Sequence, residues 1–248
     1  LYTDTRVEEI VGEDKVEGVR LDTDENLPAQ LVLLATGAIP LIGPAASCGL
    51  ALTDSGAIEV DRHMRTSDEH IFACGDCAGK RSFFGGQPST LMLASIATTE
   101  ARIAAANLYG LVRENVGTVG VWSTAVGEIG LATAGLTEAM ATRCGYRVAT
   151  AVVNGPNRHP GCMPGAATTM VKLVFEHTSR VLLGGQVLGD HSAGEMINIL
   201  SACVQSKMTA EAIAQFQLGT HPAMTASPIA YPIVNAAELA LQQIHSQR

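Results

Sequence analysis

The pattern of hydrophobic and polar positions near the start of the chain predicts β-structure. Apolar residues at 7–10 and 16–21 flank a polar turn, which is typical of a β-hairpin. A continuous apolar run at 30–35 follows a second polar turn and ends at Thr36-Gly37. A short run of this kind, bounded by turn signals, predicts a strand that is buried on both faces.

Proline and glycine interrupt the segment after residue 37. This pattern predicts a connecting region with two short strands at 56–61 and 70–74. The second of these strands ends at Gly75-Asp76, and a glycine-rich loop follows it. An alanine-rich stretch then predicts a helix over 89–108, with Ser89 as its N-cap and Gly110 just beyond its end.

The pattern changes around residues 113–120, and we place a domain boundary there. Beyond it, alternating positions predict strands at 121–124, 128–134, 147–154, 168–176 and 181–188. Helical spacing predicts helices at 137–144, 193–206, 209–216 and 236–245, the first of them capped by Thr137. An antiparallel sheet with helices on one side is an α+β sandwich.

The composition excludes several classes of protein. The 248 residues are 47% hydrophobic, so the chain is not intrinsically disordered. The 16 Lys and Arg against 24 Asp and Glu give a net charge of −8, which argues against nucleic acid as the main partner. The sequence contains no apolar run of the roughly 18 residues that a membrane-spanning helix needs.

Six cysteines and the lack of a secretion signal predict reduced thiols and a cytoplasmic protein. Cys74 and Cys77 have C-x-x-C spacing, so a thioredoxin-like redox dithiol is one possible interpretation. The pair ends a predicted strand instead of opening a helix, and a second C-x-x-C, which a four-thiolate zinc site would need, is missing. We therefore predict no metal site.

Three positions are candidates for binding or acid–base chemistry. Asp76 follows a strand end and a glycine that permits close approach, so its carboxylate can accept a hydrogen bond from a polyol hydroxyl. The same logic applies to Thr36-Gly37. His221 precedes a proline in a Gly/Thr-rich loop and is a candidate acid or base, with a solvated loop histidine as the alternative interpretation.

The order of these motifs resembles the FAD-dependent pyridine nucleotide–disulfide oxidoreductases. The resemblance lies in Leu-Val-Leu-Leu-Ala-Thr-Gly at 31–37, Ile-Phe-Ala-Cys-Gly-Asp at 71–76 and Leu-Gly-Gly-Gln-Val-Leu-Gly at 183–189. The second half is most similar to the branch that contains NADH oxidases, NADH peroxidases and coenzyme A-disulfide reductases. The resemblance implies FAD as cofactor and NAD(P)H as co-substrate of a longer parent enzyme.

The resemblance also implies roles for individual residues. Asp76 would bind the ribityl chain of FAD, with Gly75 allowing the approach, and Thr36-Gly37 would lie near the flavin nucleotide. The helix start at Leu93 and Ala94 would direct its amide dipole at the pyrimidine edge of the flavin, where it favours negative charge.

His221-Pro222 resembles the histidine–proline pair that disulfide reductases extend to the partner subunit's flavin. The sequence departs from the family here, because the glutamate that orients this histidine is replaced by Ala226 or a residue near it. The usual Gln-Gly of the helix reads Glu100-Ala101.

The resemblance implies a division into three parts: 1–37 as the tail of an NAD(P)-binding domain, 38–115 as the C-terminal part of an FAD-binding domain, and 118–248 as a dimerisation domain. This predicts a partial Rossmann-like α/β region followed by an α+β domain. The glycine-rich nucleotide motifs and the redox cysteine of the family would precede Leu1, so the missing N-terminal half and a second copy are the predicted partners.

We expect the parent to pass electrons from NAD(P)H through FAD to oxygen, peroxide or a disulfide or persulfide, and the chain by itself to be inactive. The alternative is a non-catalytic dimerisation or partner-binding module without flavin.

Overall fold

A computed structural model describes residues 1–246, and these form two compact units, residues 1–40 and the chain from residue 41 onward. The first unit is an antiparallel meander of β1 (Val7–Val11), β2 (Gly18–Leu21) and β3 (Asn26–Pro28). Val11 pairs with Gly18, and Val19 pairs with Leu27. The predicted hairpin is thus confirmed, and a third strand extends it.

The predicted buried strand at 30–35 is wrong for this structure. Within the described residues no strand includes this run, and Leu31, Leu33 and Leu34 are 86%, 87% and 70% exposed. A strand forms only where its N–H and C=O groups find a neighbouring strand, and the meander supplies none beside this run. An apolar run predicts that its residues will be buried, but burial also requires a partner surface.

The second unit opens with α1 (Gly43–Ser47), the short strands β4 (Lys80–Arg81) and β5 (Pro88–Ser89), and α2 (Ala94–Asn107). The strands predicted at 56–61 and 70–74 are reduced to isolated bridges at Ile58 and Phe72. This region nevertheless has a small hydrophobic core of its own, made up of Ala45, Ile58, Met64, Ala73, Ala78, Ile103 and Ala104.

Helix α2 begins five residues later than the sequence predicted. Ser89 is not its N-cap, because the backbone of Ser89 pairs with Lys80 between β4 and β5 and stays extended. Leu93 is the N-cap residue, with extended dihedrals of φ −131° and ψ 139°. The buried stripe of the helix is Ile96, Glu100, Ile103 and Asn107.

A five-stranded antiparallel sheet dominates the rest of the unit. Its strands, in the spatial order β6-β7-β10-β9-β8, are β6 (Val121–Val126), β7 (Ile129–Gly135), β8 (Val148–Pro156), β9 (Thr168–Glu176) and β10 (Leu182–Gly189). The helices are α3 (Glu138–Arg143), α4 (Ala193–Gln205), α5 (Ala210–Ala214) and α6 (Pro232–Ser246), and a 3-10 turn spans Pro228–Ala230. Most predicted elements are confirmed within two residues, whereas α6 starts four residues before the predicted position.

The main core lies between one face of the sheet and the helices α4 and α6. Leu173, Phe175, Leu200, Ile213 and Ile233 are fully buried there. The prediction that all helices lie on one side of the sheet is wrong. Ala141 of α3 packs with Val174 and Leu183 in a separate cluster. Val174 alternates with Leu173 along β9, so α3 covers part of the opposite face.

Among residues 1–246, the helices are all too short or too polar to cross a membrane.

Candidate functional site

The turn at Cys74–Cys77 is fixed through both backbone polar groups of Gly75. Its N–H donates to Oε2 of Glu100 in α2 at 2.9 Å, and its carbonyl accepts from Nζ of Lys80 at 2.5 Å. Gly75 has φ +79°, a conformation that favours glycine over other residues. The turn is therefore held from one side by β4 and from the other by α2.

The same contacts place the turn against the beginning of α2. A Cβ added to Gly75 would lie 3.6 Å from Cβ of Ala97, which is ordinary contact with the first turn of the helix. Asp76 is exposed, whereas Cys74 and Cys77 are half-buried. The structure thus places Gly75 beside Ala97, three residues after the start of α2 at Ala94.

Lys80 and Glu100 form a buried ion pair beneath this turn. Their side chains are 3% and 1% exposed, and Nζ of Lys80 lies 3.5 Å from Oε2 of Glu100. Burial raises the pKa of Glu100, although the Gly75 N–H and Lys80 act in the opposite direction. Nζ of Lys80 also donates to the carbonyl of Ala78 at 3.0 Å.

Sequence reasoning missed the role of this pair and recorded Glu100 only as a departure from the family pattern. A usable signal was present, because Glu100 lies four residues after Ile96 and three before Ile103, on the apolar stripe of the helix. An acidic residue on a buried stripe requires a partner inside the protein. The sequence could not show that the partner is Lys80.

The geometry of Cys74 and Cys77 does not favour a redox dithiol. Sγ of Cys77 donates to the carbonyl of Cys74 at 3.4 Å, and both thiols are free. Burial raises the pKa of Cys74, and Cys77 and Glu100 raise it further. A redox nucleophile needs the thiolate, which a raised pKa disfavours.

Thr36 and Gly37 belong to the first unit and are exposed. Gly37 has φ +85°, so the backbone there turns as a non-glycine residue rarely does. They follow the unpaired run at 30–35.

His221 is exposed on the loop after α5. Its Nδ1 accepts a hydrogen bond from the backbone N–H of Ala223 at 3.2 Å, and among residues 1–246 no hydrogen bond engages its Nε2. Oγ1 of Thr225 accepts from the N–H of His221 at 3.1 Å, and Ala226 is buried. Among the hydrogen bonds of residues 1–246, none links His221 to the Cys74–Cys77 turn.

A second loop packs against the histidine loop. The N–H of His159 donates to the carbonyl of Pro222 at 3.2 Å. In the part of the chain that the structure describes, His, Cys, Asp and Glu side chains form no group of three or more that could hold a metal ion.

Comparison with known proteins gives two family matches. The model described as pyridine nucleotide-disulphide oxidoreductase matches residues 1–101, and the model described as the dimerisation domain of the same family matches residues 121–229.

Named relatives show the same similarity. The chain is 33% identical over 192 residues to the NAD(P)H coenzyme A polysulfide/persulfide reductase of Pyrococcus horikoshii, covering 76% of this chain and 43% of that protein. It is 27% identical over 241 residues to the NADH oxidase of Methanocaldococcus jannaschii, covering 97% and 52% respectively.

A solved structure of an FAD-dependent pyridine nucleotide-disulphide oxidoreductase from Desulfovibrio vulgaris superposes with a TM-score of 0.74 at 31% identity, covering 97% of this chain and 55% of that one. The chain thus spans about half the length of the proteins it matches. Two matched domains in the family's order, together with the shared fold, establish that the chain belongs to the pyridine nucleotide-disulphide oxidoreductase family.

Proposed function

We propose that this chain is the C-terminal part of a flavoprotein that passes electrons from NAD(P)H through FAD to a small acceptor. The observation that carries the proposal is the Gly75–Asp76 turn, held rigidly against the start of α2 with the Asp76 carboxylate exposed. FAD would supply the hydride and electron chemistry. The residues of this chain would bind and orient it.

The residues present fit this cofactor. A carboxylate accepts hydrogen bonds strongly, so Asp76 suits a ribityl hydroxyl. The free N–H groups in the first turn of α2, at Leu93 and Ala94, suit an electronegative edge. From the family resemblance we separately propose Thr36 and Gly37, in the first unit, as contacts to the nucleotide part of FAD.

The relatives point to the class of acceptor. The Pyrococcus protein is named as a polysulfide or persulfide reductase, and the Methanocaldococcus protein as an NADH oxidase. We propose a persulfide or disulfide, oxygen or peroxide as the acceptor. His221 would hold or release a proton at Nε2, because its Nδ1 is already an acceptor for the N–H of Ala223.

The proposed assembly is a homodimer of a longer parent. One face of the five-stranded sheet is only partly covered by α3 and exposes apolar side chains from every strand: Trp122, Leu131, Val152, Met170 and Leu188. A contiguous apolar face of this kind marks an interaction surface. We call these five residues the open sheet face and propose that it meets its equivalent in a second copy.

We further propose the division into 1–37, 38–115 and 118–248 for the NAD(P)-binding tail, the FAD-binding part and the dimerisation domain. The six free thiols support the cytoplasm as the compartment.

The experiment is a visible absorption spectrum of the purified parent, followed by NADH under anaerobic conditions. Flavin bands that bleach on NADH addition support the proposal. A colourless, dimeric parent contradicts it and favours the non-catalytic dimerisation module.

A further inference from the structure

Burying the Lys80–Glu100 pair carries a desolvation cost. Removing two charges from water is unfavourable, and their attraction offsets that cost only when the geometry is good and further hydrogen bonds satisfy both groups. Here the charges are also used as hydrogen-bonding groups toward one residue. Lys80 donates to the Gly75 carbonyl and Glu100 accepts from the Gly75 N–H, so the two side chains hold Gly75 between them.

Holding both polar groups of Gly75 restricts its φ and ψ. Glycine is otherwise the most flexible residue, and the φ of +79° at Gly75 lies in the left-handed region, which other residues rarely adopt. The direction in which the chain leaves Gly75 decides where the Asp76 carboxylate points. A restrained Gly75 therefore presets Asp76 before any ligand arrives.

We propose that Lys80 and Glu100 are positioning residues that fix the Gly75 backbone so that Asp76 is preset to accept a ribityl hydroxyl of FAD. The inference rests on the proposed function of this turn in binding FAD. Neither side chain needs to touch the cofactor, because both act through the Gly75 peptide groups.

The remaining charge around Glu100 is consistent with this role. Oε1 of Glu100 is buried and lacks a hydrogen-bond partner among residues 1–246, so only Oε2 is engaged. Asp76 raises the pKa of Glu100 through its charge, while Lys80 lowers it. Lys80 is thus the cation that lies beside the buried Glu100 carboxylate.

Two single variants and their combination test the proposal. Lys80→Met leaves a buried carboxylate without its cation. Glu100→Gln keeps a side-chain oxygen for the Gly75 N–H but leaves a buried cation without its anion. The double variant removes both charges and keeps that oxygen. Glu211→Gln is the matched control, because Glu211 of α5 forms a partly exposed ion pair with Arg180 and, among residues 1–246, makes no hydrogen bond to the turn.

Two readouts are needed. The first is the hydrogen-exchange rate of the Gly75 amide in this chain without FAD. The second is the FAD dissociation constant of the parent at a temperature where every variant is folded by circular dichroism. Lys80→Met is expected to speed exchange at Gly75 by at least tenfold and to weaken FAD binding by about 10–100-fold. Glu100→Gln keeps a neutral acceptor for the Gly75 N–H and is expected to change both quantities in the same direction by a smaller factor. The double variant still lacks the Lys80 donor to the Gly75 carbonyl, so its Gly75 exchange rate and its FAD dissociation constant are expected to stay close to those of Lys80→Met, although it contains no unpaired buried charge. Glu211→Gln is expected to change neither.

The outcomes separate positioning from simple stability. Single variants that lower only the melting temperature, with unchanged Gly75 exchange and unchanged FAD affinity, overturn the proposal. So does a double variant that regains the FAD affinity of the wild type although it lacks the Lys80 donor to the Gly75 carbonyl. If the wild-type parent binds no FAD, the proposed function fails. In that case, amide exchange at Gly75 that is slow in the wild type and fast in both single variants still supports the claim that Lys80 and Glu100 restrain the Gly75 backbone.

Discussion

Trp122 of β6 lies directly opposite Thr133 of β7, and its indole is half-exposed on the open sheet face. Tryptophan is among the residue types that most often contribute a large part of the binding energy of an interface. Trp122→Glu is therefore expected to raise the dimer dissociation constant by about 100-fold, because it places a charge where apolar surface would be buried.

Sedimentation equilibrium measures this constant directly. Tyr109→Glu is the matched control, since Tyr109 is an equally large, fully exposed aromatic residue after α2 and outside the sheet. Equal dissociation constants for Trp122→Glu and the wild type would show that the dimer uses another surface.

Phe175 is completely buried in the main core between the sheet and the helices. Phe175→Ala is expected to lower the free energy of unfolding by about 3–5 kcal/mol, because the lost burial is added to the cost of a cavity. Urea denaturation gives the value, and Leu108→Ala, at an exposed position, should cost less than about 1 kcal/mol. A loss below 1 kcal/mol for Phe175→Ala would contradict the placement of the core.

Thr137 caps α3, and its Oγ1 accepts from the N–H of Met140 at 3.3 Å. Thr137→Ala is expected to lower the free energy of unfolding by about 1 kcal/mol, and Thr137→Ser to retain most of that stability. Urea denaturation of the two variants measures both effects. Equal stability of the alanine and serine variants would rule out a contribution from the cap.

Cys203 of α4 is buried, and burial raises the pKa of its thiol to about 11. The unfolded chain loses this proton near pH 8.5, so the thiol contributes stability that is complete below that pH. The contribution is lost as the pH rises from about 8.5 to about 11. Between pH 8 and pH 10.5, the free energy of unfolding measured by urea denaturation should therefore decrease less for Cys203→Ala than for the wild type. Cys144→Ala, at an exposed position, should show the same decrease as the wild type.

The sequence predicted those elements whose signals are local. The cap of α3 needs only Thr137 and the residues that follow it, and β9 has an alternating pattern that fits a strand by itself. The errors arise where distant residues decide the outcome. Ser89 is extended because Lys80 pairs with it, and the run at 30–35 is not a strand because the meander leaves it without a neighbour.

The candidate site divides in the same way. Gly75 and Asp76 could be proposed as site residues from the sequence, because a glycine and a carboxylate follow a short apolar run. The Lys80–Glu100 pair could not be identified, because the two residues are twenty positions apart and meet only through the packing of α2 against the turn.

The most direct test of the proposed flavin-binding role of the Cys74–Cys77 turn is the FAD dissociation constant of the parent, measured by quenching of flavin fluorescence for the wild type, Asp76→Ala and Cys77→Ser. Serine at position 77 keeps a donor for the Cys74 carbonyl, so Cys77→Ser is the control within the same turn. Asp76→Ala is expected to weaken binding by about tenfold or more, and Cys77→Ser to remain within about twofold of the wild type. Equal dissociation constants for all three proteins would contradict the assignment of this turn to FAD.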